Sequence, residues 1–224
     1  MLQFYYHPLS PLARRVWLAL LEKKLDFESV VVNLDRGEQF KPEFLSLSPF
    51  HHVPAIVDDG LRVIESLAIL DYLECKYPQP SLLPQNPQAL ARVKMAQMVT
   101  NSELGAQVIP LVFGDVDTSS KRSATKHLKR VCRFMSELLA EDTFFGGTQF
   151  TIGDVVAGNG LVLVDKLGFD LDRFPNLAKY RDRLMSRTAW QQVQPSNEDL
   201  KVWIDVVQGL IQRQTRLQKN MPSP

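Results

Sequence analysis

The sequence predicts two domains of different fold class, a small α/β domain followed by an all-α domain. Residues 1–79 alternate short aromatic or β-branched stretches with helical ones, in the order βαβ and then ββα. Residues 88–224 show helical periodicity with almost no strand signal. Between the two, residues 80–87 fall within YPQPSLLPQNPQ, whose four prolines indicate a stiff linker.

Local patterns predict the elements of the first domain. In chain order they are LQFYY, PLARRVWLALLEKK, FESVVVNL, KPEFLSL, VPAIV, LRVI and SLAILDYLECKY. The first is an aromatic strand, and the second is a helix whose proline stands at the first turn, where a missing N–H costs nothing. The third is a β-branched strand and the fourth a short helical piece. The turn DDG joins the next two as a hairpin, and the last is an amphipathic helix.

Five stretches predict the helices of the second domain. They are ALARVKMAQMVTNSELGAQ, KRSATKHLKRVCRFMSELLAE, GDVVAGNGLVLVDKLG, NLAKYRDRLMSR and DLKVWIDVVQGLIQRQ. Thr151 and Asp154 have the spacing of a capping box, with threonine at the N-cap and an acid three residues later. We therefore expect a helix to begin there and a structural role for both residues. VIPLVF, residues 108–113, is apolar enough to line a binding pocket, although apolar helix faces usually belong to the core.

Composition narrows the possible functions. The 26 lysines and arginines nearly balance the 25 aspartates and glutamates, so no nucleic-acid partner is indicated. Cys75 and Cys132 are far apart and form no CxxC pair, which argues against a disulfide framework or a zinc site. The N-terminus lacks the pattern of a signal peptide, and no apolar run approaches the roughly 18 residues of a membrane span. We expect a soluble cytoplasmic protein without membrane contact.

The segment SPFHHVPAIVDDG carries an unusual feature, a proline at the second position of a predicted strand. Pro54 has no N–H and a fixed φ, which suit the interior of a sheet poorly. A βαβ–ββα domain with proline at the start of its third strand is the pattern of the thioredoxin fold, in which the preceding peptide bond is cis. The N–H and C=O of Val53 would then be free to bind a peptide backbone, as an added strand does. The alternative is a trans proline on an edge strand with no ligand.

Four stretches resemble the cytosolic glutathione S-transferases, most closely the theta, delta and tau-like classes that use serine. They are FYYHPLSPLARRVWLAL, GEQFKPEFLSLSPFHHVPAI, DDGLRVIESLAILDYL and FTIGDVVAG, and they span most of the chain in the family's order. The resemblance implies a thioredoxin-like domain followed by a helical domain. It also implies a cytoplasmic, homodimeric enzyme that uses glutathione as co-substrate, holds no metal and conjugates glutathione to hydrophobic electrophiles.

Ser10 is the catalytic residue that the resemblance implies. It stands between the first strand and the N-terminus of the first helix, where free N–H groups and the helix dipole favour an anion such as a thiolate. A hydroxyl there can donate a hydrogen bond to glutathione sulfur, whereas serine at this position can also be a plain N-cap. Tyr5 and Tyr6 are rival donors, since other classes of the family use a tyrosine. The absence of cysteine at position 10 argues against the thiol-transferase classes.

The resemblance also indicates where the γ-glutamyl end of glutathione binds. Glu65 and Ser66 stand where a strand ends and a helix begins, and Ser66 is expected to cap that helix. In the family, this pair takes the γ-glutamyl carboxylate at the helix end, and the glutamate pairs with the ammonium. Val53 and Pro54 are expected to bind the peptide backbone. Leu67 follows where some serine-class members have arginine, which removes one charged contact.

The glycine carboxylate of glutathione needs a donor near SPFHHVP. His51 falls where serine-class enzymes place a histidine and His52 where other classes place lysine or glutamine, so either residue can serve, and Gln39 can assist. Two adjacent histidines seldom face one metal ion and no acidic or cysteine ligand is evident nearby, so we expect no metal. Phe50 occupies the position of an aromatic key that some classes insert into the partner subunit; the alternative is an ordinary loop aromatic.

Other functions of this fold stay open at this point. A domain with an intact glutathione site can be a non-catalytic binding or scaffold module, and the chemistry can also be peroxide reduction or dehalogenation. Isomerisation is disfavoured, because the zeta isomerases place a longer serine and cysteine cluster than HPLSPLARR provides. Fold alone does not decide among these functions.

Overall fold

The computed structural model describes residues 1–113 and 119–219 of the 224-residue chain. Its first part has the predicted βαβ–ββα order. The elements are β1 (Gln3–Tyr6), α1 (Pro11–Glu22), β2 (Glu28–Val31), α2 (Pro42–Leu45), β3 (Ala55–Asp58), β4 (Leu61–Ile64) and α3 (Ser66–Lys76). Every predicted strand and helix of this part is present.

The four strands form one mixed sheet in the order β2-β1-β3-β4. β1 runs parallel to β2 and antiparallel to β3, and β3 pairs antiparallel with β4. The β3–β4 turn places Asp59 at φ 49° and Gly60 at φ 83°, the left-handed conformation that a tight hairpin turn requires. This pairing brings the C-terminal ends of β1, β2 and β4 and the N-terminal start of β3 to the same end of the sheet.

The second part of the chain is helical, as predicted. Its helices are α4 (Pro87–Val99), α5 (Gly105–Phe113), α6 (Ser119–Leu139), α7 (Ile152–Lys166), α8 (Pro175–Met185), α9 (Thr188–Val193) and α10 (Asn197–Lys219). A one-turn π-helix, Thr100–Leu104, separates α4 from α5 within the stretch predicted as one helix. Helix α9 is not predicted from the sequence, because six residues are too few to show a clear helical period.

Helix α7 lies at the centre of the helical part. Every residue from Ile152 to Val164 is buried, which is the burial expected of a helix that is apolar all round. Gly158 permits this packing, since a Cβ at that position would overlap Leu184 and lie 2.6 Å from Trp190. A glycine is therefore needed for the close approach of α7 to α8 and α9.

The predicted capping box at the start of α7 is confirmed. One carboxylate oxygen of Asp154 accepts hydrogen bonds from the N–H and hydroxyl of Thr151, at 2.8 and 2.7 Å. The other oxygen accepts from the N–H of Phe145 and the hydroxyl of Tyr180, at 2.9 and 3.0 Å. Asp154 is fully buried, and this burial raises its pKa to about 6. The box therefore joins α7 to the preceding loop and to α8.

Two ion pairs tie α1 to later segments. Lys23 is buried and donates to a carboxylate oxygen of Glu74 in α3 at 2.6 Å and to the carbonyl of Pro80 at 2.8 Å. Arg187, just before α9, donates twice to Glu22, at 2.8 and 2.6 Å. The first pair holds the C-terminal end of α1 against α3, and the second holds it against the helical part of the chain.

Candidate functional site

The predicted site residues lie at one end of the sheet, where three neighbouring strands begin or end. Ser10 follows the C-terminal end of β1, Pro54 immediately precedes β3, and Glu65 immediately follows β4. Tyr5 pairs with Ala55 and Ala55 with Ile64. The residues that follow β1, precede β3 and follow β4 are therefore neighbours. Three motifs that are distant in sequence therefore meet at one end of the sheet.

Ser10 is the N-cap of α1. Its Oγ accepts a hydrogen bond from the N–H of Ala13 at 3.2 Å, and its own N–H donates to the carbonyl of His7 at 2.9 Å. Because a hydroxyl can accept through its lone pairs while it donates through O–H, the capping bond leaves the Ser10 proton available to a ligand. The capping role and the thiol-binding role are therefore compatible in this geometry.

A small cavity of about 100 Å³ lies beside Ser10. Its lining is mostly apolar and comes from the β1–α1 loop, the segment after β2, and α10: His7, Leu9, Ser10, Pro11, Leu34, Trp203, Val206 and Val207. Burial lowers the pKa of His7, whose Nδ1 accepts the N–H of Leu9 at 3.3 Å. A neutral imidazole therefore borders the cavity.

The α10 side of this cavity was missed by the sequence analysis. Trp203, Val206 and Val207 have the i, i+3, i+4 spacing of one helix face. This spacing is the sequence pattern that indicates an apolar face of α10. Among the side chains that the structure describes, none of positions 108–112 lines this cavity, so the alternative of a core role stays open for VIPLVF. Those positions form the end of α5 instead.

The rival tyrosines lie elsewhere. Tyr6 is buried, stacks on Phe4 with ring centroids 4.7 Å apart, and packs edge-on against Trp17. The hydroxyl of Tyr5 donates to the side chain of Gln3 at 3.2 Å. Neither tyrosine lines the cavity beside Ser10.

Asn159 of α7 holds the start of α1. Its side-chain Nδ2 donates to the carbonyl of Pro11 at 2.8 Å, and the residue is 3% exposed. This bond joins two segments that are 148 residues apart in sequence. The role of Asn159 could not be predicted from the sequence, since an asparagine inside an apolar helix has no pattern that indicates its partner.

The Val53–Pro54 peptide bond is cis, as the sequence predicts. Val53 packs its side chain in a small apolar cluster with Val32 and Phe44. Within residues 1–113 and 119–219, no backbone or side-chain group forms a hydrogen bond with the N–H or C=O of Val53. The N–H and C=O of Val53 are therefore both unpaired at this end of the sheet.

His51 and Gln39 face each other across the loop before β3. His51 adopts a left-handed φ of 61°, and its Nδ1 lies 3.2 Å from the carbonyl of Gln39. Gln39 is buried and donates to the carbonyl of Leu34 at 3.3 Å, while its Oε1 has no partner in the described part of the chain. His52 is exposed, and its backbone is held by Ser48.

Glu65 and Ser66 meet the start of α3 differently from the prediction. The N-cap is Glu65, with φ 69° and no side-chain capping bond, and Ser66 is the first helical residue. Ser66 therefore does not cap the helix, because the strand end already places Glu65 in the capping position. Its hydroxyl lies 3.5 Å from Nη1 of Arg15, a buried residue of α1 that also contacts Asn101 at 2.9 Å.

A second cavity and the two cysteines are further features of the chain. A cavity of about 570 Å³ lies between β2 and α2. Its lining includes the rival donor Tyr5 but not Ser10, Val53 or Glu65. Cys75 is exposed and Cys132 is buried, both as free thiols. Among the described residues, no three His, Cys, Asp or Glu side chains are grouped so as to hold a metal ion. No helix in those same ranges combines the length and apolar character needed to cross a bilayer.

Comparison with known families identifies the family of this fold. A family model described as "Glutathione S-transferase, N-terminal domain" matches residues 4–81, and one described as "Glutathione S-transferase, C-terminal domain" matches residues 74–188. The chain is 32% identical to glutathione S-transferase 1 of Dianthus caryophyllus, over 89% of this chain and 96% of that protein. The chain therefore belongs to the glutathione S-transferase family, which confirms the family and the kind of enzyme predicted from the sequence.

Two further similarities bear on the chemistry. The chain is 29% identical to a maleylacetoacetate isomerase of Pseudomonas aeruginosa, over 88% of this chain and 97% of that protein. A glutathione transferase family member from Pseudomonas fluorescens, solved with two glutathione molecules bound, superposes with a TM-score of 0.76 at 26% identity. The superposition covers 86% of this chain and 91% of that structure, and it confirms the predicted thioredoxin-like and helical fold.

Proposed function

We propose that this protein is a serine-type glutathione transferase in which Ser10 donates a hydrogen bond to the sulfur of glutathione. The observation that carries the proposal is the position of the Ser10 hydroxyl. It lies at the N-terminus of α1, with its proton available, and it opens into a mostly apolar cavity. A thiolate there would face both a hydroxyl donor and the positive end of the helix dipole.

Glutathione would lie along the edge of the sheet. Its backbone would pair with Val53 beside Pro54, whose open N–H and C=O support this step. Its γ-glutamyl end would reach Glu65 and Ser66, and the side-chain carboxylate of Glu65 makes no hydrogen bond or ion pair with another described residue. For the glycine carboxylate, Gln39, His51 and His52 are the candidate donors. The exposed His52 reaches solvent-side ligand atoms most readily, whereas Nδ1 of His51 already faces Gln39.

The chemistry requires a thiolate near neutral pH. A free cysteine thiol ionises near pH 8.5, so only a few per cent is nucleophilic at pH 7. A hydrogen bond to a charged group contributes roughly 1.5–3 kcal/mol, which corresponds to about one to two pKa units. The bound sulfur would lose its proton to solvent and attack the electrophile. A carbon–sulfur bond forms, and either a leaving group departs with its bonding electrons or a double bond opens and its other carbon takes a proton from water.

The electrophile would occupy the cavity between the β1–α1 loop and α10. Its apolar walls favour a flat hydrophobic compound in contact with Trp203. We expect Trp203→Ala to lower kcat/KM for an aromatic electrophile about tenfold and to leave the Kd for glutathione unchanged. Val202→Ala is the matched control, because Val202 neighbours Trp203 on α10 but is 48% exposed and lies outside the cavity. Equal effects of the two substitutions would contradict this placement.

The test of the proposed function combines binding and turnover. Glutathione affinity is measured by calorimetry, and turnover with 1-chloro-2,4-dinitrobenzene is followed by absorbance. Binding together with conjugation supports the transferase. Binding without turnover of this compound, a hydroperoxide or a haloalkane would instead support a non-catalytic binding module. Absence of glutathione binding would refute the proposal altogether.

Isomerisation is a second candidate, favoured by the similarity to maleylacetoacetate isomerase. Ser10 is followed by Pro11 and Leu12 rather than by cysteine, and neither of the free thiols lines the cavity beside it. Direct assay of glutathione-dependent maleylacetoacetate isomerisation decides between the two. A kcat/KM for isomerisation well above that for conjugation would identify the protein as an isomerase rather than a transferase.

We further propose that the enzyme is a cytoplasmic homodimer. Phe50 is 59% exposed at the edge of the first domain, and Met95, Met98 and Phe134 are exposed on α4 and α6. A partner subunit would cover these apolar side chains, with Phe50 as the inserted aromatic key. Sedimentation velocity at micromolar concentration tests the dimer, and a monomer at that concentration would refute it.

A further inference from the structure

Helix α6 carries a local concentration of positive charge. Residues 119–136 contain six lysines and arginines and no aspartate or glutamate, although the two kinds of charge nearly balance over the whole chain. One side of the helix is apolar and buried against the protein, through Ala124, Leu128, Val131, Cys132 and Met135. The opposite side exposes Arg122, Lys126, Lys129 and Arg133. These four residues are called the basic face of α6 below.

The basic face is not neutralised by acidic side chains beside it. Like charges one helical turn apart repel each other, as Arg122 and Lys126 do. Within residues 1–113 and 119–219, none of the four cations forms an ion pair with an aspartate or glutamate. From Arg122 to Arg133 the helix rises about 16 Å. The face is therefore a line of cations without counter-charges in the described part of the chain.

The shape of this face indicates an extended anion. Arg122, Lys126 and Lys129 line a surface cavity of about 390 Å³ together with Lys121 and Thr125, all from α6. A compact anion would touch only one or two of the cations spread along the helix, whereas a flat anionic surface meets all of them. Clusters of roughly four to eight lysines and arginines on an amphipathic helix are typical of binding to anionic lipid headgroups.

A nucleic acid fits the same observations less well. Proteins that bind nucleic acid usually carry an excess of positive charge over the whole domain, whereas this chain has a net charge of +1. Single-stranded nucleic acid is bound through aromatic side chains that stack on the bases, and no aromatic residue lines this cavity among the described side chains. An anionic membrane surface is therefore the partner that the distribution of charge favours.

We propose that the basic face of α6 docks this protein reversibly onto a membrane surface rich in anionic phospholipid. The contact is peripheral and electrostatic, since the four side chains are charged and lie on the outside of a helix whose other side is buried. The expectation of no membrane contact rested on the net charge and on the lack of a spanning segment, and neither describes the charge of one helix face. Docking is independent of the glutathione chemistry and would bring the protein to the phase in which apolar electrophiles dissolve.

The first test measures co-sedimentation of the full chain with vesicles of phosphatidylcholine, with and without about 30% phosphatidylserine. At about 0.1 M NaCl we expect binding only to the vesicles that contain phosphatidylserine, and about 1 M NaCl should abolish it, because salt screens exposed charges. Absence of binding at the lower salt concentration would overturn the inference. Binding that does not depend on phosphatidylserine or on salt would overturn it as well. These comparisons use the wild type and require no variant.

A charge-removal variant tests whether α6 makes the contact. Each lysine or arginine near an anionic surface strengthens binding about fivefold. The combined substitutions Arg122→Gln, Lys126→Gln and Lys129→Gln should therefore weaken binding to the phosphatidylserine vesicles about 100-fold. The three side chains are exposed, so the fold should be retained, and circular dichroism checks this. Wild-type affinity in this variant would overturn the inference.

The matched control removes the same charge from other elements. It combines Lys24→Gln, Lys179→Gln and Lys201→Gln, at exposed positions just after α1, on α8 and on α10, and it should bind within about twofold of the wild type. Equal losses in the two variants would mean that net charge rather than α6 drives binding. Binding of the wild type to an oligonucleotide but not to vesicles would likewise overturn the inference. Glutathione calorimetry on the same proteins tests the proposed function separately.

Discussion

Ser10→Ala should raise the pKa of the glutathione thiol bound to this protein by about one to two units and lower conjugation at pH 6.5 about 10- to 100-fold. The reason is that the sulfur loses its hydroxyl donor and keeps only the N-terminus of α1. An ultraviolet difference titration of the thiolate band gives the pKa directly, and initial rates with 1-chloro-2,4-dinitrobenzene give the activity. At a pH well above the raised pKa, the rates of the variant and the wild type should converge.

The substitution also removes the capping bond to Ala13, so its effect on the helix must be separated from its effect on the sulfur. Ser10→Thr keeps both the capping acceptor and the donor, and it should preserve a depressed thiol pKa. Ser10→Gly removes the hydroxyl at a position where glycine costs a helix only a few tenths of a kcal/mol. A glycine variant with a wild-type thiolate titration would show that the helix N-terminus, and not Ser10, activates the thiol.

Asp154→Asn should destabilise the fold by about 3–5 kcal/mol in chemical denaturation at pH 7. The carboxylate accepts four hydrogen bonds in a fully buried position, from Thr151, Phe145 and Tyr180. An asparagine side chain has one acceptor oxygen in place of two, and its NH2 group would face donors. Buried N–H and hydroxyl groups would therefore lose their partner, which is the main source of the loss.

The chain contains a matched control for this prediction. Ser196 and Asp199 form the same local motif at the start of α10, where the N–H and hydroxyl of Ser196 donate to Asp199 at 3.0 and 2.8 Å. That motif is exposed, so water can replace the lost partners and Asp199→Asn should cost much less. Equal losses at the two sites would mean that burial is not the cause.

The pKa of Asp154 adds a pH dependence with a defined sign. Burial raises this pKa from an ordinary value near 3.8 to about 6, so between these values the folded state holds a proton that the unfolded state has released. Stability from this group is therefore greatest below pH 4 and falls by about 3 kcal/mol as the pH rises to 6. The difference in unfolding free energy between the wild type and Asp154→Asn should accordingly be larger at pH 5 than at pH 7.

Local sequence was sufficient to predict most elements of the fold and the residues at the edge of the sheet. Helix caps, prolines and hydrophobic periodicity act within a few residues. Such local patterns predicted the βαβ–ββα order, the Asp58–Gly60 hairpin, the capping box at Thr151 and the cis peptide bond before Pro54. The domain boundaries at residues 79 and 88 and the ligand roles of Val53, His51 and Glu65 stay predictions. Helix α9 and the π-helix at Thr100–Leu104 are too short to show a recognisable sequence pattern.

The sequence by itself thus determined the family, the order of the elements and the position of Ser10 at a helix start. Only the tertiary structure decided which distant residues lie beside the candidate site or hold its elements together. Trp203 covers the cavity from α10, Asn159 holds Pro11 from 148 residues away, and Arg15 meets Asn101 across 86 residues. The physical reason is that periodicity shows which face of a helix is apolar but not which neighbour covers it. A single buried arginine or asparagine likewise has no local pattern that names its partner.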